Sequence, residues 1–174
     1  MKKIMIVDDN YLSAEGIEKN IDWETLNAEI IHVCYNGTSA IEAMKKEPAD
    51  LIISDIEMPD LDGISMSRQA LEINPMVKII LISAYDKFEY ARRALLLGAL
   101  DYIEKPLDYA YLIQKVKNAF ALMEKEQKNL QLLKQSRPLL TEKFFREITH
   151  LPSSEAAYRL KPYLKYLNLE LNYD

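Results

Sequence analysis

The residues best able to do chemistry in this sequence are polar groups that follow apolar runs. Asp8 and Asp9 come directly after Ile4-Met5-Ile6-Val7, and Asp55 comes after Leu51-Ile52-Ile53-Ser54. Ser83 closes the run Ile79-Ile80-Leu81-Ile82, and Lys105-Pro106 follows Leu100–Glu104. Adjacent carboxylates repel, and three that converge are unstable without a cation. Such a set suits Mg²⁺, which takes oxygen ligands and retains several waters. A bound Mg²⁺ would bridge to a phosphoryl oxygen, while a lysine ammonium and a serine hydroxyl contact the others. An aspartate can itself accept phosphate as an acyl phosphate. The constellation is suited to phosphoryl transfer onto a carboxylate, with metal and ammonium neutralising the developing charge.

That chemistry requires the apolar runs to end on one edge. Lys3–Val7, Ala28–Tyr35, Leu51–Ser54, Lys78–Ser83 and Leu100–Glu104 are rich in Ile, Val and Leu, and several lack polar alternation. This is the pattern of strands buried on both faces of a parallel sheet. Helical patterns separate them. Tyr11–Asn20 follows the first strand; Thr38–Lys46 follows Asn36-Gly37, with Thr38 or Ser39 as cap and Pro48 as terminator. Ile64–Ile73 stops before Pro75, Phe88–Leu97 stops at Gly98, and a long fifth helix starts near Asp108. Five strand–helix alternations predict an α/β fold, a doubly wound five-stranded parallel sheet. In such a sheet the crevice lies beyond the carboxyl ends of the strands, where the acids, Ser83 and Lys105 are delivered.

Composition excludes several function classes. The net charge is −5, from 22 basic and 27 acidic residues, which argues against nucleic-acid binding through a broad basic face. A single cysteine, Cys34, lies inside an apolar run, so it reads as a buried small side chain and supports no disulfide framework. No segment is apolar for long enough to span a bilayer, and the first apolar run is too short for a signal peptide, so the expected location is cytoplasmic.

Beyond Leu122 the pattern changes. Glu124–Ser136 is polar with sparse leucines, and Arg137-Pro138 is expected to break the helix. Leu139–Ile148 reads as a separate helix and Ser153–Tyr166 as another, interrupted by Pro162. The final "LNLELNYD" resembles the first strand of a further domain. Along the fifth helix Leu112, Val116, Ala119, Met123, Glu126, Leu130 and Leu133 alternate spacings of four and three, a heptad seam apolar except at Glu126. The early members are expected on the sheet. The later ones predict a parallel homodimer through this extended helix, or folding back of the tail at Arg137-Pro138.

Four motifs carry a resemblance: "VDDN" at 7–10, "PADLIISDIEMPDLDG" at 48–63, "LISAY" at 81–85 and "LGALDYIEKPL" at 97–107. In this order and at strand ends they resemble the receiver domains of bacterial two-component response regulators, over about Lys2 to Phe120. The resemblance implies the flavodoxin-like receiver fold for residues 2–121. It leaves residues 122–174 as a helical linker or dimerisation region and the start of a downstream domain. It implies that Asp55 is phosphorylated by a sensor histidine kinase. Asp9 and Asp55 would bind Mg²⁺ directly, Asp8 largely through water, and the backbone carbonyl of Glu57 would complete the set. Ser83 would be the switch hydroxyl, Lys105 the phosphate-contacting lysine and Tyr102 the aromatic switch; the Lys105-Pro106 step is often cis in the family. "NIDWETLNAEI", "AYDKFEYARRALLLGALDYIEKPL" and "SRPLLTEKFFREI" are similar to AraC-type, YesN-like regulators, which carry a C-terminal DNA-binding domain. DNA would be met only through such a domain, outside this chain.

Plainer roles account for other residues. Asp60 and Asp62 are expected to shape the turn into the next helix, Trp23 to anchor packing, and His32 and His150 to have no chemistry. The Phe88/Tyr90 pair is expected to face a partner or lie at the core surface. A different class, the haloacid-dehalogenase phosphatases, also uses an aspartyl phosphate on an α/β fold. It places its nucleophile in Asp-x-Asp after the first strand, whereas here the acids are adjacent and the better nucleophile follows the third strand. A receiver coupled to an enzymatic output is a further alternative; the expectation is a switch and not an enzyme.

Overall fold

The structure, a computed structural model, describes residues 1–84 and 101–148, with side chains as far as Leu132. The helix expected at Phe88–Leu97, the Phe88/Tyr90 pair, Gly98, His150, the helix expected at Ser153–Tyr166 and the terminal strand-like segment lie outside the described residues. Five strands, β1 (Lys2–Val7), β2 (Ala28–Cys34), β3 (Leu51–Asp55), β4 (Lys78–Ser83) and β5 (Asp101–Glu104), form one sheet in the order β2-β1-β3-β4-β5. Every neighbouring pair is parallel. The described helices are α1 (Tyr11–Asn20), α2 (Gly37–Lys46), α3 (Gly63–Ile73) and α4 (Tyr109–Ile148); α4 is the helix expected fifth along the chain.

The central strands are buried throughout, which explains their unbroken apolar runs: all five residues of β3 are buried, and four of six in β1. Met5, Val7, Ile52, Ile56, Ile79 and Leu81 pack with Ala40, Met44, Ile64, Met66 and Ala70 of α2 and α3. Trp23 is a packing anchor as expected: it is buried, and its indole N–H donates to the carbonyl of Glu18 at 3.2 Å.

Helix starts follow from side chains that accept from orphan amides. Asn10 caps α1 by accepting from Leu12 and Ser13, and Asp62 caps α3 by accepting from Ile64 and Ser65. Asp60 adopts a positive φ of 67° in the turn before α3, so both acids shape that turn. At α2 the cap is Asn36, not Thr38 or Ser39: its Oδ1 accepts from the Ser39 amide at 2.8 Å. Asparagine is among the strongest caps, worth about 1 kcal/mol, so the helix begins at the glycine that follows it.

A second correction concerns Arg137-Pro138. α4 is continuous from Tyr109 to Ile148 and passes through the proline. Proline forfeits one hydrogen bond, here to the carbonyl of Lys134, and crowds that carbonyl, at about 3 kcal/mol. Leu, Gln and Lys before it and Leu, Glu and Lys after it favour helix, so the helix resumes on the far side. Leu139–Ile148 is therefore the end of α4 and not a separate helix. The chain divides into two compact units, Met1–Leu122 and Met123–Asp174, and α4 crosses from one into the other.

Candidate functional site

The sheet order places a topological switch point between β1 and β3, since the chain leaves β1 toward β2 on one side and returns to β3 on the other. Val7 lies opposite Ser54 in the parallel register, so Asp8 leaves β1 beside Asp55 at the end of β3. Asp8, Asp9 and Asp55 each offer a carboxylate oxygen, and these atoms lie within 4.8 Å of one another. Asp8 and Asp55 are buried, whereas Asp9 is exposed.

Lys105 comes to the same place from the end of β5. Its ammonium donates to Asp55 Oδ2 at 2.6 Å and to Asp8 Oδ2 at 3.1 Å. The Lys105 amide donates to the carbonyl of Ser83 at 2.8 Å, tying the lysine's backbone to the end of β4, and the Lys105-Pro106 bond is cis. Burial, the largest influence, pushes the Asp8 carboxyl above the usual carboxylate range; the Asn10 amide and the Lys105 ammonium pull it down without cancelling the rise. Burial would likewise push the Lys105 ammonium down, but hydrogen bonds to Asp55 and Asp8 and their charges outweigh it, and the net direction is up.

Three carboxylates facing one ammonium leave two negative charges uncompensated if all are ionised. The donors are all oxygen, and the exposed Asp9 leaves one side of the cluster open to water. This is the donor set of a hard divalent cation such as Mg²⁺, and the residues fit it.

The structure thus brings Asp8, Asp9, Asp55 and Lys105 together. Glu57 has an exposed side chain, and its amide donates to Asp55 Oδ1 at 3.2 Å. Ser83 is fully buried at the carboxyl end of β4. Tyr102 is half-buried, pairs with Leu81 in register, and packs against the core on the α2–α3 face. Ser83 lies two residues beyond Leu81, so strand alternation puts Ser83 and Tyr102 on the same face of the sheet.

Sequence reasoning missed two residues of the site. Asn10 both caps α1 and donates its amide to Asp8 Oδ1 at 2.9 Å; the signal was an Asn directly before a helical pattern. Gly63 is the other. A Cβ there would meet the Asp55 carbonyl oxygen at 2.1 Å, so only glycine lets α3 start against the backbone of Asp55. Beside the site a cavity of about 220 Å³ is lined by Asp8, Ser13, Ile17, Lys105, Leu107 and Tyr109, among others.

The response regulator receiver domain family matches residues 4–117. The chain belongs to this family. The transcriptional regulatory protein YesN of Bacillus subtilis is 29% identical over 126 residues, which is 72% of this chain and 34% of that protein. The REC domain of AraT, a response regulator from Geobacillus stearothermophilus, is 34% identical with a TM-score of 0.68, over 72% of this chain and 98% of that one. A two-component transcriptional regulator AraC from Clostridium phytofermentans is 30% identical with a TM-score of 0.65, over 74% and 99%. Within the receiver family the chain fits the AraC-type, YesN-like subfamily, and its five-stranded parallel sheet is the CheY-like, flavodoxin-like receiver fold. It is a receiver domain of two-component signalling with an aspartate cluster at the strand ends. The chain spans about a third of the length of YesN. No helix among the described residues is long and apolar enough to cross a membrane.

Proposed function

We propose that this receiver is a cytoplasmic phospho-acceptor switch, in which Asp55 takes a phosphoryl group from a sensor histidine kinase. The observation that carries the reading is Asp55 itself, at the switch point of the sheet, 2.6 Å from the Lys105 ammonium and clustered with Asp8 and Asp9. Asp9, Asp55 and the Glu57 backbone carbonyl would hold Mg²⁺, with Asp8 largely through water. Bound there, Mg²⁺ supplies charge neutralisation for the transferring phosphoryl group.

A carboxylate oxygen of Asp55 attacks phosphorus as the phosphorus–nitrogen bond of a phosphohistidine breaks, and the electron pair stays with the imidazole. Lys105 already holds Asp55 Oδ2, so its ammonium is in reach of the new phosphoryl oxygens and would pair with them. Ser83, on the neighbouring strand, would supply a hydroxyl to the phosphoryl group. Tyr102, on the same face, would change rotamer as Ser83 moves. The receiver takes residues 2–121, and residues 122–174 serve as linker and self-association region. The readout is an AraC-type DNA-binding output C-terminal to this chain, and self-association through α4 places two outputs together.

A haloacid-dehalogenase-type phosphatase is the competing class. Its Asp-x-Asp nucleophile arrangement after the first strand is replaced here by adjacent acids, with the third acid on β3. Incubation with Mg²⁺ and a small acyl-phosphate donor separates the two. A switch gives stoichiometric labelling of the protein; many turnovers of released phosphate per chain would instead establish a phosphatase.

A further inference from the structure

α1 carries a glycine in its interior that the backbone conformation does not call for. Gly16 lies within Tyr11–Asn20 without a positive φ, at a place where glycine is the poorest helix former after proline. What it supplies is room. The phenol of Tyr109, the first residue of α4, lies across α1 at this point. A Cβ on Gly16 would stand 2.6 Å from the Tyr109 hydroxyl oxygen but 3.8 Å from Cζ, the ring carbon that carries it. The first distance is a clash and the second an ordinary van der Waals contact. The hydroxyl therefore demands the glycine, and the ring does not.

This contact joins the two segments that carry Asp8 and Lys105. α1 is capped by Asn10, whose amide donates to Asp8 Oδ1 at 2.9 Å. α4 starts at Asp108, three residues after Lys105, whose Oδ1 accepts from the amides of Ala110 at 2.8 Å and Tyr111 at 3.3 Å. Between the segments lies the cavity of about 220 Å³, walled by Ser13 and Ile17 of α1 and by Lys105, Pro106, Leu107 and Tyr109. A side chain beside open volume lacks the packing that would hold it in one place. The Lys105 ammonium nonetheless sits on Asp55 Oδ2 at 2.6 Å and on Asp8 Oδ2 at 3.1 Å.

We propose that Tyr109 is a positioning residue for Lys105: seated on Gly16, its phenol sets how closely the Lys105 segment approaches α1, and so keeps the ammonium on both carboxylates. Its effect on transfer rests on the phospho-acceptor reading above; the contact itself does not. Pushing the phenol off α1 should draw the ammonium from Asp8 first, since that is the longer contact. Two consequences then have opposite signs. Phosphoryl transfer loses an oriented cation, whereas Mg²⁺ loses a competitor for the carboxylates. General damage to the fold would weaken both.

The test uses the whole chain as parent, Gly16→Ala, Tyr109→Phe and the double variant. Intact mass follows the rate of labelling by a small acyl-phosphate donor in saturating Mg²⁺, and calorimetric titration without donor measures Mg²⁺ affinity. Gly16→Ala should label roughly tenfold to a hundredfold more slowly, the range that a displacement of about 1 Å can cost, and should bind Mg²⁺ several-fold more tightly. Removing the hydroxyl removes the clash, so the double variant should match Tyr109→Phe in both rate and affinity. A Gly16→Ala protein that behaves as the parent does overturns the proposal, and so does a double variant as slow as Gly16→Ala. Slow labelling with Mg²⁺ affinity unchanged or weakened also overturns it, because the ammonium has then not left the carboxylates. A parent that takes up no phosphoryl group removes the phospho-acceptor reading, and the Mg²⁺ affinities of the four proteins then decide whether the contact positions Lys105.

Discussion

Asp8 carries the clearest electrostatic cost in the site. Its side chain is 1% exposed, and burial raises its carboxyl above the ordinary range despite the Asn10 amide and Lys105. The sign follows directly: the folded state holds the Asp8 proton more tightly than the unfolded state does. Ionised Asp8 therefore costs stability, and that cost is incurred as pH rises from the ordinary carboxylate range through the raised value. Lys105 behaves oppositely; its raised ammonium contributes stability that is complete below its ordinary pKa of 10.5 and is lost as pH climbs through the raised folded value. At neutral pH without divalent cation, Asp8→Asn should raise the melting midpoint by a few degrees, about 1 kcal/mol. Mg²⁺ should stabilise the parent by about 2.7 kcal/mol at a hundredfold excess over its dissociation constant, and the variant much less. Scanning calorimetry with and without Mg²⁺ measures both. A variant that melts below the parent in metal-free buffer contradicts the account of Asp8.

Among the elements, the strands were the most legible in the sequence, because strands buried on both faces must be apolar without interruption. β4 ends at Ser83 as its run predicts, and β3 extends one residue past its apolar run to include Asp55. The acids and Lys105 were legible for the same reason: a charge directly after a buried strand must lie at its end. What the sequence could not display was proximity between distant segments. Gly63 is one glycine in a turn until α3 is seen lying against the Asp55 carbonyl. Gly63→Ala should destabilise the first unit by about 1–3 kcal/mol, the usual cost of overpacking, read as a lower midpoint in urea unfolding. An unchanged midpoint would mean that α3 can shift freely. The proline in α4 was misjudged because a local rule, that proline ends helices, competes with helix formers on both sides, and here the flanks prevail. Pro138→Ala restores the missing hydrogen bond. It should increase amide protection around residues 134–142 by up to about 3 kcal/mol in hydrogen exchange. Loss of protection there would show that the helix is not continuous.

The molecule as a whole joins a chemical site in its first unit to a long helix whose far part lies in its second. Under the proposed switch, Lys105 would link them in function: one ammonium contacts Asp55 and Asp8 from the end of β5, and its backbone amide donates to the Ser83 carbonyl. Lys105→Ala should retain Mg²⁺ binding, because it removes none of the carboxylates, yet uncouple phosphorylation from self-association. Sedimentation with and without an acyl-phosphate donor tests this; a Lys105→Ala protein that associates on phosphorylation as the parent does would contradict it.

The proposed switch depends on Asp55 being the acceptor, and one comparison addresses that directly. Parent and Asp55→Asn proteins are incubated with Mg²⁺ and a small acyl-phosphate donor, and intact mass is measured before and after hydroxylamine treatment. An amide cannot act as the accepting carboxylate, so the parent should gain one hydroxylamine-labile phosphoryl group per chain while folded Asp55→Asn gains none. Comparable labile labelling of Asp55→Asn would place the acceptor elsewhere and contradict the assignment.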